Sequence, residues 1–371
     1  MQELVATIST LLSNWYGRTV PHTNGDPWAG EPLTFVIRLR TSCGDQRMKA
    51  AIATAYGSPD VIRIAEVPTP THKTNEILIR IRASSVNSGD WRLRRADPWF
   101  VRLVYGPFKP GKPILGVVFA GEVVEAGSES SKFKPGDRLF GWTGITRLGG
   151  HAEHIALPEN GAFARMPMQM SFADAAAIPF GFGTALGFLR KAKVRKGQRV
   201  LVYGASGAVG SAAVQLATEM GAEVTGMCST RNVELVRSTG ATEVLDYTKD
   251  DLDAYHNRFD VVFETVGKLP FKESLKLVKP QGTLIMGSEM PAQMLARLFA
   301  GKGGKTVKVI GGTTDETAEG IAHVAELWER KAIRPVIDST YPLERIAEAH
   351  ARAESWRKVG SVVVNVHAEQ A

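Results

Sequence analysis

Apolar and polar positions change their rhythm along the chain. From Met48 to about Pro167, short apolar runs are broken by Gly, Pro and Asp: "MKAAIATAYGSPDVIRIAEVP", "EILIRIRASSVN", "GVVFAGEVVEAG", "DRLFGW" and "HAEHIALP". This pattern predicts short strands, with a Gly-Ser-Pro turn inside the first segment. Many such strands suit a small barrel or sandwich. From about Met168 to Gly312 strand-like runs alternate with helix-like ones. "RVLVY", "AEVTGMC", "TEVLDY", "DVVFETV", "GTLIMG" and "TVKVIGG" are separated by segments such as "SAAVQLATEMG" and "NVELVRSTG". That alternation predicts an α/β fold with a doubly wound parallel sheet. Gly221 and Gly240 close two of the helices, where glycine tolerates a left-handed turn. The last segment predicts two helices, "TAEGIAHVAELWERKA" and "PLERIAEAHARAESW", and a final strand "GSVVVNV". That strand is expected to return to the first domain. The layout is then 48–167 with 313–371 as one discontinuous domain, and 168–312 as the other.

Residues 1–47 read differently. "MQELVATISTLLSNWYG" fits an amphipathic helix, and "RTVPHTNGDPWAGEPL" is turn chemistry. Neither has the pattern of a secretory signal, and Glu3, Asp26, Glu31 and Asp45 argue against a transit peptide. The segment is expected to be a poorly ordered extension or a misassigned start, with Met48 as a candidate start.

Composition narrows the class. With 371 residues, 44% hydrophobic and 22% charged, the chain reads as a globular protein of about two domains. Two cysteines, Cys43 and Cys228, support neither a disulfide framework nor a Cys-rich zinc site, and a reducing, cytoplasmic setting follows. No apolar run is expected to approach the roughly 18 residues of a membrane span. The formal charge of +7 favours anionic partners. Its clusters, "WRLRRADPW" and "KVRKGQR", lack the interleaved aromatics of a nucleic-acid module, so a phosphate-bearing small ligand is expected instead.

The motif that carries most chemistry is "RVLVYGASGAVGSAAVQLA", Arg199 to Ala217. Gly204, Gly207 and Gly210 recur at every third position after a strand and before a helix. In such a fingerprint Gly207 lets the backbone approach a pyrophosphate, and Gly210 lets the helix pack against the strand. The helix start adds unpaired N–H groups and partial positive charge. NAD sites place an acid at the end of the second strand. Here that strand ends "GMCSTRN", with Ser229, Thr230 and Arg231, a set that suits an adenosine 2′-phosphate. NADPH is therefore expected over NADH. Val266 and Gly287 end the fourth and fifth strands, at the carboxyl edge where ligands bind. Cys228 reads as a small core residue.

These residues resemble the medium-chain dehydrogenase/reductase superfamily, in its zinc-independent quinone oxidoreductase-like branch. The motifs run in family order: "ASSVNSGDWRLR", "ILGVVFAGEVVEAG", "FKPGDRLFGW", "GGHAEHIALP", "AAAIPFGFGTAL", "VLVYGASGAVGSAAVQLA", "GMCSTRN" and "DVVFETVG". The resemblance spans Met48 to the C-terminus and has no counterpart in residues 1–47. It implies a GroES-like β-barrel catalytic domain and a Rossmann domain with the cofactor between them, in homo-dimers or homo-tetramers. It assigns Ser206, Gly207, Ala208, Val209 and Gly210 to the pyrophosphate. Ser229, Arg231 and Tyr247 fall on the adenosine side, Thr184 and Asn87 at the nicotinamide end.

Zinc alcohol dehydrogenases of this superfamily carry a Cys where this chain has "SSVNSGD". They carry Gly-His-Glu where it has Gly116-Val117-Val118. Valine has no lone pair and catalytic zinc needs three protein ligands, so no metal ligand is assigned. His151 and His154, read on one strand, would face opposite sides and are expected to be surface or turn residues. Without a Lewis acid, acceptors that stabilise negative charge themselves fit best, namely quinones and α,β-unsaturated carbonyls. Asn87 and Asp90 are the catalytic candidates. Tyr105 is a further candidate proton donor, with a core or rim role as its alternative. Arg92, Arg94 and Arg95 line the entrance or face solvent. The expected function is an NADPH-dependent, zinc-independent oxidoreductase with a small-molecule quinone or enone substrate and no nucleic-acid or membrane partner. Beside it stand an enoyl/alkenal reductase or alcohol dehydrogenase-like enzyme of the same superfamily, and an NADPH-binding sensor or structural protein without turnover.

Overall fold

Alternating burial turns the first apolar runs into strands. The computed structural model describes residues 46–288, 307–311 and 316–367, so the expectation for residues 1–45 lies outside the described residues. β1 (Arg47–Ala53) and β2 (Ile62–Pro68) form an antiparallel pair around the Gly57-Ser58-Pro59 turn. Next come β3 (Glu76–Val86), β4 (Val118–Ala126), β5 (Arg138–Trp142), β6 (His154–Pro158) and β7 (Phe163–Arg165). β8 (Arg199–Tyr203), β9 (Glu223–Cys228), β10 (Glu243–Asp246), β11 (Phe259–Glu264), β12 (Val278–Met286) and β13 (Lys308–Ile310) follow. β14 (Ile337–Pro342) and β15 (Ser361–Asn365) are the last.

The strands sort into two large sheets. A seven-stranded sheet has the order β14-β15-β3-β4-β5-β7, with β6 also pairing β3. β15 runs antiparallel to β3, with Val363 opposite Ser85, so the last strand sits in the N-terminal sheet. Inward positions such as Ile77, Ile79, Ile81, Phe119, Leu139 and Val364 make its core. The second sheet is six-stranded, in the order β10-β9-β8-β11-β12-β13, and its pairs are parallel. The order in which strands are added reverses between β8 and β11, the switch point where doubly wound sheets bind ligands. This is the α/β architecture of a Rossmann sheet with a GroES-like domain. Gly221 and Gly240 take positive φ values of 78° and 101° at their helix ends.

Between the sheets runs a helical stretch that departs from expectation. Phe172–Ala192, 21 residues with mean hydropathy 1.4, is long and apolar enough to cross a membrane by length and composition, whereas no such run was expected. Its apolar window is 67% buried inside the protein. It packs on β3, β4, β15 and the helix Ala208–Glu219, which explains its composition as that of a core helix. Apolar residues from Trp142 and Val363 through Ile178 and Phe188 to Val202 and Phe263 form one continuous cluster across both sheets.

Two expectations about charged side chains are corrected. His151 is 1% exposed, not a surface residue. It precedes β6 in a bend, so strand alternation does not relate it to His154. Its ring meets His350 edge-on at 5.5 Å, and its Nε2 lies 3.3 Å from the Ser85 carbonyl. Arg94 is 0% exposed rather than at an entrance. Its guanidinium donates to Glu354 and to the Gly57 carbonyl, both at 2.5 Å, and faces His350 Nδ1 at 3.4 Å. Burial, then His151 and Arg94, hold His350 well below the ordinary 6.5. Burial also lowers His151, against the pull of Asp90.

An imidazole unfolded titrates near 6.5 and in the fold resists protonation, so the unfolded chain binds more protons between those values. This contribution is complete above pH 6.5 and is lost as pH falls towards the folded value. Thermal melts from pH 7.5 to pH 5 are expected to drop in the wild type and to drop less in His350→Gln. An identical pH slope in both would assign the acid lability to other groups.

Candidate functional site

β8 is buried along "VLV" and ends at a turn that requires glycine. Gly204 has φ +81°, and a Cβ there would lie 2.2 Å from Val266 Cγ2. The amides of Gly204 and Ala205 both donate to the Met227 carbonyl, at 3.0 and 2.9 Å, and that of Gly207 donates to the Gly204 carbonyl at 3.0 Å. The helix Ala208–Glu219 then starts from Gly207 with no side chain capping it. At Gly210 a Cβ would sit 2.0 Å from the Gly204 carbonyl oxygen, so helix and loop touch backbone to backbone. Gly207 differs. Its φ is −77°, and a Cβ would make only an ordinary contact, 3.5 Å from Gly204 O. The chain itself does not demand glycine at that position, so the open approach to the uncapped helix start is what the glycine preserves. Uncapped amides on Ala208, Val209 and Gly210 beside an unobstructed Gly207 fit a pyrophosphate.

Ser229, Arg231 and Tyr247 gather at the ends of β9 and β10. Asn232, which sequence reasoning missed, is buried and donates to Ser206 Oγ at 3.0 Å and Ser229 Oγ at 3.3 Å, tying the glycine loop to the second strand. Arg231 is exposed and its guanidinium donates to the Arg357 carbonyl at 3.1 Å. Tyr247 is half-exposed, its ring 6.2 Å from that of Tyr203. Asp246 ends β10, and its oxygens accept from the hydroxyls of Thr230 (2.5 Å) and Thr248 (2.7 Å), while its amide donates to the Asp250 carboxylate at 2.7 Å. The Thr230 bond leads the contributions that draw Asp246 down to about 2. Cys228 is buried, its thiol pushed up to about 11 by burial and by Asp246, as befits a packing residue.

The candidates at the nicotinamide end, Thr184 and Asn87, and those at the carboxyl edge of the sheet, Val266 and Gly287, come from four elements. Thr184 follows a π-helical turn, Pro179–Gly183, within the long core helix. Such bulges recur at functional sites. Here small residues permit it: a Cβ on Gly181 would lie 2.7 Å from the Ala208 carbonyl oxygen. The turn therefore rests on the start of the helix Ala208–Glu219. Val266 and Gly287 are set by Glu264, which is 0% exposed. Its carboxylate accepts from the amides of Val266 (3.1 Å) and Gly267 (2.7 Å), and its carbonyl from Gly287 (2.8 Å). Asn87 caps the helix Ser88–Arg95, its Oδ1 accepting from the Gly89 amide at 2.9 Å. Among the described residues its buried Nδ2 has no hydrogen-bond partner, an unsatisfied donor of the kind that points to a ligand. Arg92, on the same helix, donates to Ser288 Oγ at 3.2 Å, joining the helix to the carboxyl end of β12.

Asp90 does not belong with them. It is 0% exposed, with Oδ2 accepting from the Asn87 amide (2.9 Å) and Oδ1 from those of Gly116 (3.1 Å) and Val117 (3.2 Å). It pins the helix start to a distant loop and presents no proton to a cleft. Tyr105 donates to the Ile145 carbonyl at 2.9 Å and is pushed up to about 12 by burial, Glu316 and Tyr56. It too is poorly placed to give up a proton. A cavity of about 240 Å³ lies among Trp142, Gly183, Leu186, Arg190, Thr317 and Ile321. It adjoins Thr184 but includes none of the glycine loop. Among the described residues no cluster of three or more His, Cys, Asp or Glu is arranged to hold a metal.

Comparison with known proteins matches this arrangement. The profile of the alcohol dehydrogenase GroES-like domain matches residues 73–168, and that of the zinc-binding dehydrogenase family matches 239–364. The chain is 33% identical over 319 residues to a quinone oxidoreductase of Sus scrofa, covering 83% of this chain and 94% of the relative. It is 31% identical over 333 residues to a 2-methylene-furan-3-one reductase of Solanum lycopersicum, covering 86% and 79%. The solved structure of the quinone oxidoreductase from Coxiella burnetii superposes with a TM-score of 0.80 at 26% identity, covering 87% of this chain and 100% of that one. With its Rossmann sheet, GroES-like domain and glycine loop, the chain belongs to the medium-chain dehydrogenase/reductase superfamily, in the quinone oxidoreductase-like branch, as an NAD(P)H-dependent oxidoreductase.

Proposed function

We propose that the protein is an NADPH-dependent, zinc-independent reductase of quinones or α,β-unsaturated carbonyls. The observation that carries the cofactor choice is the tip of β9. Ser229 and the exposed Arg231 stand there, while the Asp246 carboxylate is engaged by Thr230 and Thr248 and the Asp250 carboxylate by the Asp246 amide. A bound NADPH supplies the hydride. The amides of Ala208, Val209 and Gly210 hold its pyrophosphate, and Val266, Gly287 and Thr184 flank the path to the nicotinamide end. Asn87 Nδ2 is the donor available to an acceptor oxygen. With Asp90 and Tyr105 engaged elsewhere, the anion left on the acceptor takes its proton from water, which suits quinones. Val117 and Val118, where zinc relatives carry ligands, offer no lone pairs. The quinone and furanone reductases among the relatives support the acceptor class.

Fluorescence titration with NADPH and NADH, then a quinone and enone panel with and without chelator, tests the reading. NADPH-driven reduction indifferent to chelator is expected, and activity that disappears with metal removal would sink it. Arg231→Ala is expected to weaken NADPH by about tenfold, the value of one charge-assisted hydrogen bond, and to leave NADH within about twofold. Equal losses for both would reject the 2′-phosphate assignment.

A further inference from the structure

The chain that follows the helix Ser88–Arg95 carries large apolar side chains left outside the core. In the short helix Val101–Tyr105, Val101 and Tyr105 stand one turn apart and pack against the cluster shared by the two sheets. Leu103 and Val104, between them, are exposed, Leu103 at 74%. Trp99 and Phe100 precede the helix, meet edge-on at 6.4 Å and are exposed. Phe108 follows it and is 90% exposed. Backbone hydrogen bonds hold this display in place. The Gly111 amide donates to the Tyr105 carbonyl at 2.6 Å, the Tyr56 hydroxyl to the Gly106 carbonyl at 2.8 Å, and the Tyr105 hydroxyl to the carbonyl of exposed Ile145 at 2.9 Å. Gly106 has φ +120°, and a Cβ there would lie 2.4 Å from the Lys109 carbonyl oxygen, so the turn before Phe108 requires glycine.

The charge along this stretch has one sign. Pro98 to Leu115 contains no Asp or Glu, and Arg102, Lys109 and Lys112 are exposed within it. Arg102 lies over the Tyr56 ring at 5.1 Å, and Lys112 Nζ donates to the Thr146 carbonyl. Two acids act from outside the stretch, Asp97 on Arg92 and Glu316 on Tyr105. A second copy of the chain would press the same three cations against themselves, since a two-fold interface pairs a patch with its own image. Protein interfaces in general keep lysine out of their centres. A bilayer surface accepts this combination. Apolar side chains enter the boundary between headgroups and acyl chains, tryptophan settles at that boundary, and anionic headgroups draw the Lys and Arg beside them.

We propose that residues 99–112 form a membrane-docking surface, with Trp99, Phe100, Leu103, Val104 and Phe108 inserted into an anionic lipid surface and Arg102, Lys109 and Lys112 on its headgroups. This departs from the expectation of no membrane partner. Spanning a bilayer takes an apolar run of about 18 residues, whereas resting on one takes a few exposed side chains and nearby positive charge. The attachment is reversible, because its apolar part is a handful of side chains and its electrostatic part is screened by salt. It is independent of the dinucleotide site and needs no cofactor.

The full-length protein is floated with vesicles of phosphatidylcholine alone and with vesicles containing about 30% phosphatidylserine, with thermal melts as the folding control. The wild type is expected to float with the anionic vesicles, to stay behind with the neutral ones, and to be released at about 1 M salt. Leu103→Ser with Phe108→Ser should weaken binding at least about tenfold, because both side chains are transferred from water. Arg102→Gln with Lys109→Gln should weaken it about fivefold for each charge removed. Tryptophan emission should shift to the blue on anionic vesicles in the wild type, and Trp99→Phe should lose most of that shift. If the Arg102 variant does not fold, the Ser and Phe variants decide alone. Equal binding to both vesicles, binding to neither, or a Ser variant that binds like wild type would overturn the proposal. So would a fall in sedimenting mass of the Ser variant in the absence of lipid, which would assign the surface to a second copy of the chain.

Discussion

Gly210→Ala is expected to abolish measurable dinucleotide binding and to destabilise the protein by about 3 kcal/mol or more. The added Cβ would lie 2.0 Å from Gly204 O, 2.7 Å from Gly204 C and 2.9 Å from Ala205 Cα. All three are backbone atoms, so no side chain can swing aside. Gly204 cannot retreat either, because its positive φ and the Val266 side chain define its position. The helix Ala208–Glu219 must move off the strand, carrying its uncapped amides away from the site. The π-helical turn would be dragged with it, since Gly181 packs on the Ala208 carbonyl. Gly207→Ala separates the two effects. Its Cβ meets only Gly204 O at 3.5 Å, so melting should stay near wild type while NADPH affinity falls. Calorimetric melts and fluorescence titrations of the two variants check this. A Gly210→Ala protein that binds NADPH normally would show that the close approach is not needed.

Glu354→Ala is expected to destabilise the fold by about 3–5 kcal/mol, the cost of leaving a buried charge without its partner. Arg94 is fully buried, and Glu354, whose side chain is 16% exposed, accepts from it at 2.5 Å. Burial already presses the guanidinium towards neutrality, and Glu354 is the leading opposing influence. Removing Glu354 leaves Asp60 as the remaining acid acting on it, with the Gly57 carbonyl as a neutral acceptor. The double variant Arg94→Met, Glu354→Ala should recover part of the loss, because neither charge then remains to be desolvated. Denaturant unfolding of both singles and the double closes the cycle. Additive losses would mean that the pair does not act as a unit. The same helix carries Asn87 at its start, so a loosened Arg94 should also lower turnover more than cofactor affinity.

The two kinds of region differed in how readable they were. The glycine loop was legible because its constraints are local: strand end, left-handed Gly204, close-packed Gly210 and helix start lie within one short stretch. The strands β3 to β6 are legible as short apolar runs divided by Gly, Pro and Asp; β3, β4 and β5 are buried along most of their length, and β6 alternates. Asn87 and Asp90 stood out as polar residues in one motif, but their separate fates depended on partners far along the chain. Asp90 is consumed by the Gly116 and Val117 amides, while Asn87 keeps an unsatisfied donor. The long apolar helix was misjudged because its composition reflects burial between two sheets, which only the assembled fold reveals.

The sequence by itself determined the order of elements, the parallel sheet with its phosphate-binding turn, and a hydroxyl and guanidinium where NAD sites carry an acid. These follow from backbone sterics and side-chain chemistry over a few residues. Only the tertiary structure decided that His151 and Arg94 are buried with His350 and Glu354, and that Asn232 ties two strand ends together. It alone packed Val101 and Tyr105 on the core and left Leu103 and Phe108 exposed. Each of these depends on desolvation or hydrogen bonding between segments distant in the chain, and local pattern carries no record of which distant groups will meet.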